Sequence, residues 1–213
     1  MARCCSYNTI IFRMKSREVE GIIRPRCSTV WAFTNLHTID NHVRKKINEA
    51  GFFYIITMGQ IGINQRLVSS LIETWRLEMH TFHFPHREAT ITLEDVTLQL
   101  SLKIDGLPVT SIITSDVRVA CHALLGDTPP NKYIKGKSIY LSWLRQKFKQ
   151  LPVDTNDNVV TQHAKGHILM MIGGCLLLDT SGARVYFMYL LLLCNLTEAS
   201  HYSWGGAVLA TLF

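Results

Sequence analysis

Residues 73–110, ETWRLEMHTFHFPHREATITLEDVTLQLSLKIDGLPVT, decide the fold. His80–Phe84 alternates poorly as a helix but well as a strand, and Ala89–Leu93 carries β-branched residues at alternating positions. Pro85–Glu88 between them predicts a hairpin loop of about four residues. Thr92 then has a carboxylate three residues on, at Asp95, in the form of a capping box, and Glu94 adds negative charge where a helix dipole favours it. The helix so begun carries Val96, Leu98, Leu100 and Leu102, and Asp105-Gly106 is the turn that closes it. On the other side, Ile63, Leu67, Val68, Leu71, Ile72 and Trp75 recur at helical spacing with Asn64 as a cap, so a helix leads into the hairpin.

Helical periodicity continues outward from this stretch in both directions. Upstream, Leu36, Ile39, Val43 and Ile47 mark a helix with Arg44, Lys45 and Lys46 opposite, Gly51 as its stop, and Phe52–Ile56 as a short buried element after it. Downstream, a helix from Ser115 or Asp116 to Leu125 stops at Gly126, and Lys132–Lys137 reads as a loop. Ser138 is expected to cap a helix whose Leu141, Leu144, Phe148 and Leu151 form one stripe, closed by Pro152. His163–Leu178 and Ala183–Leu196 are the most apolar segments, predicted as two buried helices joined by the turn DTSGAR, with a short loop at Glu198–Tyr202 and a last helix over Trp204–Phe213. Each apolar run is shorter than the roughly twenty residues a bilayer demands. The fold class expected is mainly α: a single helical domain over residues 36–213 with one small β-hairpin near residues 80–93, preceded by a basic, flexible arm at residues 1–35.

The charge sits in that arm and the first helix after it. Residues 1–46 hold nine basic and three acidic side chains, which accounts for the whole net charge of +6, so the remainder of the chain is neutral. Hydrophobic residues make up 47% and charged residues 18%, enough for one substantial core and for some apolar surface to meet a partner. Cys4, Cys5, Cys27, Cys121, Cys175 and Cys194 show no paired spacing and no secretory signal precedes them, which favours a reducing compartment; Cys175 and Cys194, inside apolar runs, read as small hydrophobes.

Candidate chemistry is thin. His80, His83 and His86 follow H-x-x-H-x-x-H spacing, but strand geometry sends His80 and His83 to opposite faces. His163 and His167 share a helix face without the glutamate of a zinc motif, and read as surface or loosely packed side chains. Lys165 lacks a recognisable cofactor pocket. Gly173-Gly174 and Gly205-Gly206 read as close helix contacts or helix starts rather than phosphate cradles. No catalytic, cofactor-binding or metal-binding set is therefore assigned. One charged cluster remains: Lys132, Lys135, Lys137, Arg145, Lys147 and Lys149 lie between Asp127 and Asp154 with no acid among them, interleaved with Tyr133, Tyr140 and Trp143. Those six cations are candidate nucleic-acid contacts. The competing reading is that Arg145, Lys147 and Lys149 simply answer a helix C-terminus.

The blocks W-R-x-E-x-H-T-F-H-F-P (75–85), TITLEDV (90–96), L-x-x-D-G-x-P-V-T (102–110), LSWLRQKF (141–148), ILMMIGGCLLLDTSG (168–182) and YSWGGAVLATLF (202–213), with AGFFYIITMG ahead of them, closely resemble the plant mobile domain. This family, also labelled aminotransferase-like plant mobile domain, is that of the maintenance-of-meristems proteins. The resemblance covers about residues 36–213. It implies a nuclear plant protein linked to genome integrity, transposon silencing and meristem maintenance. The partners it implies are nuclear proteins, phosphatase or chromatin-associated factors among them, with nucleic acid as a further candidate, and no membrane. It implies no cofactor. The family-motif residues carried over are Trp75, Arg76, Glu78, His80, Thr81, Phe82, Asp95, Asp105, Gly106, Trp204 and Gly205, with roles in structure or interaction. HAKGH (163–167) departs from the aromatic- and arginine-containing helix start that relatives tend to have. The family pattern also continues past the position of Phe213, so a copy incomplete at its C-terminus is expected. The function expected is a non-enzymatic interaction module. The alternatives are a transferase or hydrolase with a pocket around residues 76–83, and a non-functional transposon-derived fragment.

Overall fold

The computed structural model describes residues 39–58, 65–111, 116–153, 155–179 and 181–213. The arm at 1–35, the first predicted helical position Leu36, the expected cap Asn64 and the predicted helix start Ser115 lie outside the described residues. The architecture is mainly α, as expected.

In chain order the elements are α1 (Asn41–Glu49), α2 (Phe53–Thr57), α3 (Gln65–Thr74), β1 (Trp75–Arg76), β2 (Thr81–Phe84), β3 (Arg87–Ala89), α4 (Leu93–Leu100) and α5 (Val117–Leu125). After a single 3₁₀ turn at Asn131–Tyr133 come β4 (Ile134–Lys135), β5 (Ser138–Tyr140), α6 (Leu141–Lys147) and α7 (Asp157–Met171). Helix α7 runs on into a π-helical turn, Ile172–Leu176, followed by β6 (Arg184–Tyr186), α8 (Met188–Leu192), α9 (Leu196–Ala199) and α10 (Trp204–Leu212).

Helix α7 is the axis of the molecule. Asn156 caps it by accepting from the Val159 N–H at 2.9 Å, and from His163 through Leu177 every residue is buried. Helices α1, α5, α6 and α8 all pack against it. Close packing on so many sides requires missing side chains at the tightest points. A Cβ on Gly166 would fall into the Phe148 ring, and one on Gly173 would lie 2.5 Å from Val185 Cβ. The glycines of the apolar run are thus close contacts, in line with the sequence reading.

The β structure exceeds the single hairpin expected. The first sheet has the order β1-β2-β3, all antiparallel, with Trp75 opposite Phe82 and Phe84 opposite Arg87. Its hairpin loop is therefore the two residues Pro85-His86, not four. A second antiparallel sheet, β4-β5-β6, stands where sequence periodicity predicted a loop, a helix cap and the start of a helix. Ser138 is a strand residue paired with Lys135 and Tyr186, and α6 begins only at Leu141. The predicted Ala183–Leu196 helix is instead strand β6 and the five-residue helix α8.

The physical reason lies in DTSGAR. Asp179 is buried, its Oδ2 2.9 Å from Arg184 Nη2, and its carboxylate also accepts from the Ser181 hydroxyl at 2.8 Å. Gly182 takes a left-handed φ of 59°, so the chain reverses there, and β-branched Val185 enters the sheet against Ile139. Among the described residues, no helix is long and apolar enough to cross a membrane.

Candidate interaction site

The family-motif residues converge on a single assembly around the first sheet. Helix α3 delivers Trp75 directly into β1, where its indole is buried and meets Phe82 edge-on at 4.8 Å between ring centroids. The chain then makes a four-residue turn, Leu77–His80, and re-enters as β2. That turn ends at His80, which takes φ 53°, a left-handed conformation unusual for a side chain larger than glycine. The Thr90 hydroxyl donates to the His80 carbonyl at 2.7 Å, and the His80 ring lies 4.8 Å from the Phe213 ring. Among the described residues, three polar atoms here are buried without a hydrogen-bond partner: Trp75 Nε1, His80 Nδ1 and Thr81 Oγ1.

The capping box forms as the sequence indicates. Thr92 Oγ1 accepts from the Asp95 N–H at 3.2 Å, and the Asp95 carboxylate accepts from the Thr92 N–H at 2.9 Å. Asp95 is thereby committed to starting α4. Of the predicted apolar positions, Val96, Leu100 and Leu102 are buried, whereas Leu98 is exposed.

Asp105-Gly106 is not the helix stop that the sequence suggested: α4 ends at Leu100, where Ser101 takes a left-handed φ of 50°, and Leu102 lies beyond it. Gly106 has φ 115°, and a Cβ there would fall on the His201 carbonyl, whose oxygen accepts from the Leu107 N–H at 3.0 Å. The Ser203 N–H donates to the Leu107 carbonyl at 2.8 Å and the Gly205 N–H to the Lys103 carbonyl at 2.7 Å. Gly205 is small because Ile104 crowds it, and the Trp204 indole N–H donates to the Ala199 carbonyl at 2.8 Å. Residues 102–107 are in this way laced to 201–206, which joins the block after the hairpin to the last block of the chain. Sequence spacing carried no sign of that pairing.

Arg76 and Glu78 are exposed, and among the described residues no hydrogen bond or ion pair joins Arg76, Glu78 and His80. The three histidines of the hairpin separate too. His80 belongs to the turn and not to the strand, His83 stands 3.3 Å from Glu88 on the paired strand, and His86 is in the hairpin loop. No group of three or more His, Cys, Asp or Glu among the described residues could hold a metal ion.

The second histidine pair corrects the sequence reading. His163 and His167 are buried on α7, not surface side chains. Burial holds both below the ordinary imidazole range, with Lys147 adding repulsion at His163, and His167 is pushed down to about 4 by burial and the neighbouring His163. Between them Lys165 is also buried; its ammonium donates to the Cys194 carbonyl at 2.8 Å, and desolvation lowers its pKa. Lys165 thus serves the chain just past α8. Cys194 is exposed, against the expectation of a small buried hydrophobe, while Cys175 is buried as expected.

The six candidate nucleic-acid cations divide. Lys147 forms an ion pair with Asp127 at 2.8 Å, which holds that carboxyl below its usual range, and Arg145 is half-buried, where desolvation lowers its pKa. Both occupy the last turn of α6, as the helix-dipole reading has it, and Lys149 is exposed just beyond. Lys132, Lys135 and Lys137 are exposed on and beside the β4–β5 hairpin.

Comparison with known proteins bears directly on these blocks. The family model described as plant mobile domain matches residues 51–213. Among curated proteins of Arabidopsis thaliana, Protein MAIN-LIKE 1 is 38% identical over 172 residues, covering 78% of this chain and 34% of its own length. Protein MAINTENANCE OF MERISTEMS is 33% identical over 169 residues, covering 78% of this chain and 35% of its own. The serine/threonine-protein phosphatase 7 long form homolog is 35% identical over 175 residues, covering 82% of this chain and 13% of its own. The chain thus spans about a third or less of the length of these relatives, and no solved structure matches it. With the family model matched from Gly51 to Phe213 and relatives 33–38% identical over most of the chain, the chain belongs to the plant mobile domain family.

Proposed function

We propose that this chain is a non-catalytic interaction module of the plant nucleus. Its work is the genome-integrity, transposon-silencing and meristem-maintenance role that the family resemblance implies, and its partner is a protein engaged at the Trp75–Thr81 turn. One observation carries the reading: the motif concentrates unfavourable features on that turn. A left-handed histidine costs on the order of 1–3 kcal/mol, and each buried polar atom without a partner costs about 1–3 kcal/mol more. His80 supplies the first, and Trp75, His80 and Thr81 supply the second. Such cost on seven consecutive residues suits a segment kept for recognition rather than for stability. Arg76, Glu78 and exposed Met79 project beside it as the charged and apolar contacts of the partner face. The enzyme alternative, a transferase or hydrolase built on Arg76, Glu78 and His80, has less support because those side chains do not meet.

Thr81→Val tests this, because the swap removes an unpartnered hydroxyl at nearly constant shape. The variant is expected to match or slightly exceed the parent in urea denaturation. It should also lose nuclear proteins that the tagged parent chain retains from nuclease-treated plant nuclear extract, scored by quantitative mass spectrometry. An unchanged partner list would overturn the proposal. So would a substrate turnover abolished by Glu78→Ala.

A further inference from the structure

The second sheet brings together what the sequence kept apart. In cross-strand register, Lys135 stands opposite Ser138, and Ser138 opposite Tyr186; two residues along, Tyr140 stands opposite Arg184. Strand alternation puts Lys135, Ser138, Tyr140, Arg184 and Tyr186 on one face, and Ile134, Ile139 and Val185 on the other. The second row is the inward one, since Ile139 and Val185 are buried. On the outward row, Lys135 is exposed, Tyr186 is 45% exposed, Tyr140 and Arg184 are half-buried, and small Ser138 is buried between its neighbours. Tyr140 and Tyr186 are diagonal neighbours, about 7–8 Å apart by ordinary sheet geometry.

Charge surrounds these rings on one side. Lys137 sits at the tip of the two-residue β4–β5 turn, next to Gly136, where a Cβ would meet nothing within 4 Å. Lys132 lies 5.0 Å from the centre of the Tyr133 ring. None of Lys132, Lys135 and Lys137 forms an ion pair among the described residues, and Asp179, which precedes β6, is already matched by Arg184.

We infer that the outward face of β4-β5-β6 binds single-stranded nucleic acid. Tyr186 and Tyr140 stack unpaired bases, while Lys132, Lys135 and Lys137 hold the phosphates. Two exposed-to-half-buried aromatic rings on one sheet face, diagonal to each other and beside cations without an ion pair, match the chemistry of a strand that offers both π-faces and regularly spaced negative charge. An acidic peptide would use the lysines and leave the rings idle. A duplex would hide its base faces from them. The inference is independent of the protein-binding reading of the Trp75–Thr81 turn, because it uses different residues on a different sheet.

The test is fluorescence anisotropy of the full 213-residue chain with dye-labelled fifteen-nucleotide oligo-dT, oligo-rU, a duplex of the same length and a poly-glutamate peptide, across a salt series. Both single strands, or one of them, should bind more tightly than the duplex, and the dT and rU arms tell DNA from RNA. Tyr186→Ala should weaken that binding at least tenfold at constant salt. Lys135→Ala with Lys137→Ala should reduce the salt slope, while Lys45→Ala on α1 should leave stacking-dependent binding unchanged. Apart from the Lys45→Ala control, the variants keep the basic segment at residues 1–46 intact, so any affinity it contributes is common to them. Tyr186 and the two lysines are exposed, and circular dichroism melts should coincide with the parent. The inference fails if the intact chain binds neither single strand at low salt. It fails equally if Tyr186→Ala binds as the parent does, or if duplex or poly-glutamate is bound as tightly as the single strands.

Discussion

The two sheets of this protein are of similar size and opposite construction. All three strands of the first come from Trp75–Ala89, joined by a four-residue turn and a two-residue loop, and the capping box at Thr92 follows at once. The second borrows β6 from far beyond β5, with α6, α7 and the π-helical turn between them. Its third strand is held from outside: by the Asp179–Arg184 pair, by Gly173 against Val185, by the Leu141 N–H on the Ala183 carbonyl at 2.9 Å and by the Phe187 N–H on the Lys137 carbonyl at 2.9 Å. Among the described residues, three buried polar atoms without a partner and a left-handed histidine lie in the first sheet and its turn, while the Asp179–Arg184 pair of the second is matched. A locally closed sheet can carry strain because its pairing survives on short-range contacts. A sheet closed through the core has no such reserve.

That contrast can be broken most forcefully at Asp179. Asp179→Ala leaves the Arg184 guanidinium without its buried counter-charge and frees the turn into β6, and the expected loss is about 3–5 kcal/mol. Urea denaturation measures it, with hydrogen exchange expected to show β5 and β6 opening while β1–β3 keep their protection. Equal loss of protection in both sheets would mean that they are one cooperative unit.

Acid probes helix α7, whose π-helical continuation packs on β6. His167 has a folded-state pKa of about 4 against an ordinary value near 6.5, so the unfolded chain binds the proton more readily. Stability is full above about pH 6.5 and falls as pH drops through 4, by about 3 kcal/mol for a shift of this size. His163, lowered for the same reason, adds to the fall in the same direction. Denaturant midpoints between pH 7 and 4.5 should decline, and His167→Gln should flatten the decline; an unchanged slope would remove His167 as its cause.

The smallest effect belongs to the local sheet. Thr92→Ala deletes the capping hydroxyl of α4 and should cost about 1 kcal/mol. Exchange should quicken in the first turn of α4 and leave β4–β6 unaltered. A loss as large as that of Asp179→Ala would show that the capping box anchors the whole domain and not one helix.

What the sequence determined by itself was everything whose cause is short-range. The capping box lies within four residues, the buried face of α1 carries Val43 and Ile47 with Ile39 buried just ahead of its Asp40 cap, and α5 runs from its Asp116 cap to Gly126 at φ 73°. The hairpin was legible from its proline-led loop, whereas the β-branched run at Ala89–Leu93 read as its second strand is not one: β3 is Arg87–Ala89, and Thr90–Thr92 leads into α4. The motif blocks were legible as a family, and matching bore that out. Only the tertiary structure decided the rest. Ser138 resembled a cap and Ala183–Leu196 a helix because propensity is a weak prior that a strand partner distant in sequence can override. HAKGH resembled a surface, yet α7 is enclosed by α1, α5, α6 and α8, and a polar side chain reports its own hydrophilicity, not its burial. Lys147 and Asp127 paired across a loop, which took one candidate cation out of the basic cluster, while β6 brought Tyr186 to the cations that remained. The family motif marked Trp75–Thr81, but strand β1 and the turn at Leu77–His80 were not legible in it, and its partnerless atoms are set by what surrounds it. Satisfaction of a buried polar group is a property of neighbours in space, and no spacing along the chain encodes it.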